Sequence, residues 1–258
     1  MPDALIAGAL TAGFWGLLGG SALVMGAVVA YATSLPQRLV AAVMAAGSGV
    51  LISAVAFDLM DDAFRQGGAM PTALGFVAGA VAYTAANVVI SRRGGRHRKR
   101  SGTNPAARQS DAAGGAAMAI AVGALLDGVP ESVVIGISLL DGPGVSLVTV
   151  AAVFLSNIPE GLSSAAGMKA AGRSAAYIFG VWGGIALASG AAAVVGNLAL
   201  AGAAPSVMAG VTAIAAGAIL AMLVDTMIPE ATDQAHEYSG LIAASGFLIA
   251  FILSRLGD

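Results

Sequence analysis

Long apolar segments that are almost free of charge constrain this chain more than any other feature. A helix needs about 20 mainly apolar residues to cross the hydrocarbon core of a bilayer. Eight segments meet that need, at roughly 4–32, 38–62, 70–91, 115–140, 144–169, 174–199, 206–232 and 238–256. Only 10% of the residues are charged, against about 25% in an average soluble domain. We therefore predict an all-α polytopic membrane protein, with about eight transmembrane helices in a single domain spanning residues 1–258.

Two features of the composition support this class and exclude others. The 36 glycines allow helix backbones to approach closely in lipid, where apolar bulk gives little driving force for association. The chain has no cysteine, so disulfides and thiolate metal sites are excluded. The N-terminus lacks the basic region and cleavage site of a signal peptide, and we expect the first apolar segment to remain in the protein.

The positive charges are concentrated in one connection, at about 92–114, which holds seven of the 12 basic residues. We expect this basic stretch to be a disordered cytoplasmic loop that attracts anionic membrane lipid. With the N-terminus outside, Arg38, Lys169 and Arg173 also lie inside, whereas Arg65 and Arg255 lie outside. The positive-inside rule therefore places both termini outside the cytoplasm. We expect an integral protein of a bacterial-type plasma (inner) membrane.

Acidic residues lie well inside two of the segments. The fourth segment contains LDGVPES at 126–132, and the fifth contains LSNIPEG at 155–161. In each run a polar residue is followed, three and four positions later, by Pro-Glu. A carboxylate at the bilayer centre costs about 2.5–3.5 kcal/mol on insertion scales, so acids at this depth indicate a functional site.

The spacing in each run places its polar side chains on one helix face. Asp127 and Glu131 are four residues apart, as are Ser156 and Glu160, and Asn157 lies beside the second face. The proline in each run removes a helical N–H and frees a carbonyl, so both helices are predicted to kink. Carboxylates that converge with free carbonyls at membrane depth suit a cation. The alternative is a helix kink with a protonated, hydrogen-bonded glutamate, which two adjacent copies disfavour.

Further acids lie near the ends of two other segments. Asp58 in the second segment, and Asp225 and Glu230 in the seventh, lie deeper than the acids that neighbour them. For these three we predict a role as an entrance or exit relay. The acids closer to the helix ends are equally typical of solvated surface residues.

The two runs resemble motifs of the ZIP (Zrt/Irt-like) family of divalent-metal transporters. The fifth-segment run, followed by MKAAG at 168–172, resembles that family's fifth helix. The fourth-segment run is similar to its His-Asn-x-Pro-Glu-Gly motif, and DTMIPEA at 225–231 is similar to its Asp-Glu-x-x-Pro-Glu-Ala stretch. The resemblance is specific in helices 4, 5 and 7 alone.

The resemblance implies a ZIP-like helix bundle with a metal site between helices 4 and 5. Carried over position by position, the metal ligands are Asp127, Glu131, Ser156, Asn157 and Glu160. Helices 1, 4, 5 and 6 are expected to move against helices 2, 3, 7 and 8, and a homodimer is implied because the family is often dimeric. The substrate is expected to be a divalent metal ion (zinc, manganese, iron or similar), with no organic cofactor.

The sequence departs from the family pattern where histidine is expected. Asp127 opens the fourth-helix motif, Gly128 follows in place of asparagine, and Ser156 opens the fifth-helix motif. The sixth segment supplies no glutamate for a second metal. Oxygen-only ligands suit Mg²⁺, Ca²⁺ or Mn²⁺, whereas Zn²⁺ favours nitrogen and sulfur. We therefore predict one site with a weaker preference for zinc than a site that contains histidine.

Three classes of function remain open at this stage. A divalent-cation transporter is favoured, and a degenerate ZIP-like protein that moves protons or senses metal is the alternative. An intramembrane enzyme is disfavoured, because the chain has none of the common hydrolase or metalloprotease motifs. We expect no enzymatic activity and no nucleic-acid partner.

Overall fold

The computed structural model describes residues 2–95, 115–140, 145, 147–235 and 237–257. The described part is a bundle of helices: α1 (Pro2–Ala32), α2 (Gln37–Ala54, continuing as Val55–Leu59 and Met60–Gly67), α3 (Ala69–Ile90, continuing as Ser91–Gly95), α4 (Gly115–Ser138), α5 (Leu147–Ala170), α6 (Ala175–Leu200), α7 (Pro205–Met222, continuing as Leu223–Met227 and Ile228–Ala235) and α8 (Ser239–Gly257). The five-residue pieces are π-helical turns inside longer helices. Each predicted segment contains one helix, so the prediction of an all-α polytopic membrane protein is confirmed.

Seven of the described helices are long and apolar enough to cross a membrane, and α5 is not among them. At 24 residues, α5 is about 36 Å long, which is sufficient to span the hydrocarbon core. Because α5 packs against both α1 and α2, and most of its side chains are buried, it has little need of a lipid-compatible surface.

The connections between helices use residues suited to sharp turns. Gly68, with φ of 75°, joins α2 directly to α3 in a conformation that an L-residue with a side chain rarely adopts. Ser174 precedes α6, and its hydroxyl oxygen accepts the backbone N–H of Tyr177. Pro205 opens α7, where its missing N–H leaves no helical bond unmade. These devices set the helix limits close to where the sequence predicts them.

The predicted basic loop at about 92–114 begins later than expected. Residues 92–95 belong to the π-helical turn Ser91–Gly95, so α3 runs past the predicted limit. The remainder of the predicted loop, 96–114, lies outside the described residues, and its disorder stays a prediction. The prediction of one domain over 1–258 also stays a prediction.

The most extensive contacts between helices fall inside two groups. Helix α1 packs against α5 and α6, and α4 packs against α6; we call α1, α4, α5 and α6 the first group. Helix α3 packs against α7, and α2 packs against α8 and α7; we call α2, α3, α7 and α8 the second group. The groups meet mainly where α2 contacts α5 and where α4 contacts α3 and α7. These are the two sets that the ZIP resemblance implies; relative movement between them stays a prediction.

Candidate metal centre

The five predicted ligands are all buried, and all lie on α4 and α5 of the first group. Asp127, Glu131 and Ser156 are each 1% exposed, Asn157 is 3% exposed and Glu160 is 4% exposed. The apolar pattern of α4 and α5 does not account for three carboxyl groups at these buried positions. Burial at this level is costly for an acid unless a partner or a bound cation compensates for it.

Asp127 accepts a hydrogen bond from a tyrosine of the second group. The hydroxyl of Tyr83, on α3, donates to Asp127 Oδ1 at 2.6 Å, and the tyrosine is 1% exposed. The O–H···O distance is in the short range that is typical of a carboxylate acceptor. This bond holds one oxygen of the candidate ligand toward the second group.

Glu131 faces a small internal cavity between the two groups. The cavity, of about 10 Å³, is also lined by Asp58 of α2 and by Thr149 of α5. That volume is close to the minimum that holds one water molecule. Asp58 also lines an adjoining cavity of about 30 Å³ beside α8, whose wall includes the exposed side chains of Ile249 and Leu253, so Asp58 lies between an internal space and the surface of the bundle.

The polar side chains of α5 have different partners. The Ser156 hydroxyl donates to the backbone oxygen of Val153 at 2.9 Å, a local bond within the helix. Asn157 Nδ2 donates to the backbone oxygen of Gly19 at 3.0 Å and so ties α5 to α1. Asn157 Oδ1 is buried and has no hydrogen-bond partner among the described residues. This amide oxygen is a hard donor of the kind that a divalent cation accepts.

Both predicted prolines lie inside helices that continue past them. Pro130 lies within α4 and Pro159 within α5. A Cβ added at Gly47 of α2 would lie 2.8 Å from Cγ of Pro159, so the second group approaches α5 closely beside the candidate ligands. Because proline has no backbone N–H, Pro130 and Pro159 interrupt the backbone hydrogen bonding of α4 and α5 without ending either helix.

The three carboxylates are not gathered into one cluster. Among the described residues, no group of three or more His, Asp or Glu side chains is arranged to hold a metal ion. The reason lies in the partners just described, since Asp127 is held by Tyr83 whereas Glu131 faces the cavity with Asp58. The structure thus places the predicted ligands at buried positions of α4 and α5, and their joint binding of an ion stays a prediction.

The three predicted relay residues occupy unlike environments. Asp58 is partly buried in the π-helical turn of α2 and accepts the Ser254 hydroxyl of α8 at 2.6 Å. Glu230 is 4% exposed and accepts the Ser163 hydroxyl of α5 at 3.3 Å.

Asp225 is exposed, and it lies in the π-helical turn of α7, where it accepts Asn87 Nδ2 at 3.1 Å. Its position is therefore less enclosed than its place in the sequence suggests. π-Helical turns are frequent at functional sites, and two of the three predicted relay residues lie in one.

Sequence reasoning missed Tyr83, Ser163 and Ser254, the hydroxyl donors to these carboxylates. One signal was present: tyrosine in membrane proteins is enriched at the interfaces, and Tyr83 lies near the middle of α3. The two serines carried no such signal, because serine is common in closely packed membrane helices.

Comparison of the chain with models of protein families and with curated proteins finds no match. The ZIP resemblance therefore rests on the runs at 126–132, 155–161 and 225–231.

Proposed function

We propose that this protein is a membrane transporter of the ZIP type, which moves divalent metal cations through a carboxylate site between α4 and α5. One observation carries the proposal. Asp127, Glu131 and Glu160, from matching runs on consecutive helices, are each at least 96% buried in a bundle of apolar helices. Acids inside a membrane are rare and mark ion pathways, because each one costs stability that function must justify.

The donor set indicates which ions the site favours. The candidate ligands on α4 and α5 offer carboxylate, hydroxyl and amide oxygens and no imidazole or thiolate, because neither helix contains histidine and the chain has no cysteine. Such donors suit hard ions such as Mn²⁺, and they give Zn²⁺ no nitrogen or sulfur ligand. Zinc, manganese and iron remain the proposed substrates, with manganese competing well against zinc.

The two helix groups support a transport mechanism. All five candidate ligands belong to the first group, whereas the second group supplies Tyr83, Asp58 and Glu230 around them. If the first group moves as a body, it carries the ion with it past these surrounding residues. Hinge or sliding motion of packed helices is a common basis of alternating access.

Metal flux into proteoliposomes tests the proposal. We expect uptake of Mn²⁺ and Zn²⁺ by the wild-type protein and its loss in Glu160→Ala. Asp233→Ala, which removes an exposed acid near the end of α7, is the matched control and is expected to retain uptake. No flux with the wild-type protein, or equal flux with Glu160→Ala, would contradict the proposal.

Competition in the same vesicles tests the donor argument. Unlabelled Mn²⁺ is expected to inhibit Zn²⁺ uptake at comparable concentrations. A preference for zinc over manganese by orders of magnitude would show that the site does not bind through oxygen alone.

A second candidate is a degenerate ZIP-like protein that moves protons or senses metal without transporting it. It is favoured by the missing histidines and by the separation of the carboxylates into different environments among the described residues. A pH-sensitive dye inside the same vesicles distinguishes the two candidates. Proton flux that is independent of metal, together with no metal uptake, would support the second candidate.

The proposed setting is the bacterial-type plasma membrane, with the basic connection after α3 in the cytoplasm. Accessibility of a cysteine introduced at Arg173 or at Arg255 tests this orientation, because the chain has no other cysteine. Labelling from the outside is expected at Arg255 and not at Arg173.

A further inference from the structure

Tyr83 connects the two helix groups at a candidate metal ligand. Tyr83 is part of α3, and its ring lies in a buried cluster formed mainly by the second group, including Ile219, Met222 and Leu223 of α7, to which α4 adds Val134. Its hydroxyl reaches across to Asp127 of the first group at 2.6 Å. The ring of Tyr83 therefore packs mainly with the second group, whereas its hydroxyl contacts the first group.

The hydrogen bond and a bound cation require the same carboxylate. Asp127 Oδ1 already accepts the hydrogen bond of the phenol, and a divalent ion that binds this carboxylate draws charge from both of its oxygens and makes them weaker acceptors. A hydrogen bond to a charged group is among the stronger ones in a protein. Binding of the ion and contact with α3 thus oppose each other at Asp127.

We propose that Tyr83 is a positioning residue that holds Asp127 against the second group and is released when a cation binds Asp127. This inference rests on the proposed function, because that function supplies the cation that acts against the Tyr83–Asp127 bond. Without the ion, the Tyr83–Asp127 bond joins α3 to α4. With the ion, this hydrogen bond is lost and the first group is free to move. Loading of the site is in this way coupled to movement.

A second bond between the groups provides an internal comparison. Ser163 of α5 donates to Glu230 of α7 at 3.3 Å, so it also joins the first group to the second. Glu230 is not one of the predicted ligands. Loss of the Ser163 bond is expected to leave metal affinity unchanged, whereas loss of the Tyr83 bond is expected to raise it.

Calorimetric titration of Mn²⁺ into the purified full-length protein measures this difference. Tyr83→Phe removes the hydroxyl and keeps the ring, and it is expected to lower the dissociation constant about tenfold. Ser163→Ala and Tyr238→Phe, the latter at an exposed tyrosine, are expected to bind as the wild type does. An unchanged or raised dissociation constant in Tyr83→Phe would overturn the inference.

Movement is read from spin labels on each group. Cysteines at Leu198 of α6 and Leu256 of α8, both exposed, introduce labels without background because the chain has no cysteine. Mn²⁺ is paramagnetic, so Mg²⁺ serves as the ion here. We expect Mg²⁺ to change the distance distribution in the wild type and to change it much less in Tyr83→Phe, which is already released. An equal response in both proteins would overturn the coupling.

If Tyr83→Phe does not fold, the wild type itself gives the answer. The chain has four tyrosines, and ¹³C labelling at the phenol carbon gives each one a resonance that can be assigned with phenylalanine variants of the other three. Addition of Mg²⁺ is expected to shift the Tyr83 resonance, and no shift under conditions in which the ion binds would contradict the release. Absence of metal binding by the wild type would overturn the proposed function together with this inference, whereas normal binding with no Tyr83 effect would overturn this inference alone.

Discussion

Proline followed by glutamate occurs inside three helices of the bundle, twice in the first group and once in the second. Pro130 of α4 and Pro159 of α5 lie in regular α-helix. Pro229 of α7 comes directly after the π-helical turn Leu223–Met227, and the glutamate beside it accepts a hydrogen bond from Ser163. The same short pattern is therefore built into two kinds of helix.

The two groups also differ in where their helices contain π-helical turns. Within the described ranges, the π-helical turns lie in α2, α3 and α7, all of the second group. A π-helical turn holds one residue more than a regular turn and is frequent at functional sites. The first group has regular helices joined by buried side chains. We therefore predict that the first group carries the candidate ligands as a rigid body, while the second group changes conformation around it.

The largest expected effect on stability is at a close backbone contact between α5 and α1 in the first group. A Cβ added at Gly161 of α5 would collide with the backbone carbonyl of Leu23 in α1. We predict that Gly161→Ala lowers the free energy of unfolding by about 1–3 kcal/mol, the usual cost of overpacking. Thermal unfolding in detergent measures this loss. At Gly183 of α6 an added Cβ meets no atom within 4 Å, so Gly183→Ala is the control and is expected to be neutral or slightly stabilising.

A matched pair of asparagines separates rigidity from metal binding. Asn157 Nδ2 donates to Gly19 O, and Asn197 Nδ2 donates to Gly136 O, each at 3.0 Å and each between helices of the first group. Replacement of either by alanine is expected to cost about 1 kcal/mol of unfolding free energy. Only Asn157→Ala is expected to weaken Mn²⁺ binding. Equal affinity in the two variants would remove Asn157 from the ligand set.

A smaller effect is expected where α5 meets the end of α1. Lys169 Nζ donates to the backbone oxygens of Ala30, Tyr31 and Thr33, at 3.3, 2.7 and 3.4 Å. A cation there satisfies carbonyls that the helix end leaves unpaired. Because the site is partly exposed, Lys169→Met is predicted to lower the unfolding free energy by about 0.5–1 kcal/mol and to leave metal affinity unchanged. A change in affinity without a change in stability would show that Lys169 acts on the site and not on the helix end.

Most of the fold was predictable from the sequence. The length and apolarity of the segments located all eight helices, because a membrane helix leaves a long continuous signal. The turn at Gly68 and the helix start at Pro205 agree with the restricted or unusual backbone preferences of glycine and proline. The π-helical turns had no counterpart in the sequence signal, since an inserted residue does not disturb apolarity.

The candidate site was predictable only in part. The spacing of Asp127 with Glu131, and of Ser156 with Glu160, predicted a site on α4 and α5; all four residues are buried, and their meeting at one ion stays a prediction. It did not show that Tyr83 of α3 would hold Asp127, because partners on distant helices depend on how the bundle packs. The sequence predicted three converging carboxylates and gave no sign that Tyr83 would donate a hydrogen bond to one of them.

The central claim is that the first group, and not the second, carries the cation. Glu131 of α4 and Glu230 of α7 make the sharpest pair, since each follows a proline and they are 1% and 4% exposed. Equilibrium binding of Mn²⁺ to the wild type, Glu131→Gln and Glu230→Gln measures the claim directly. The account predicts one ion per chain in the wild type, loss of binding in Glu131→Gln and retention in Glu230→Gln. Retention in Glu131→Gln with loss in Glu230→Gln would contradict it.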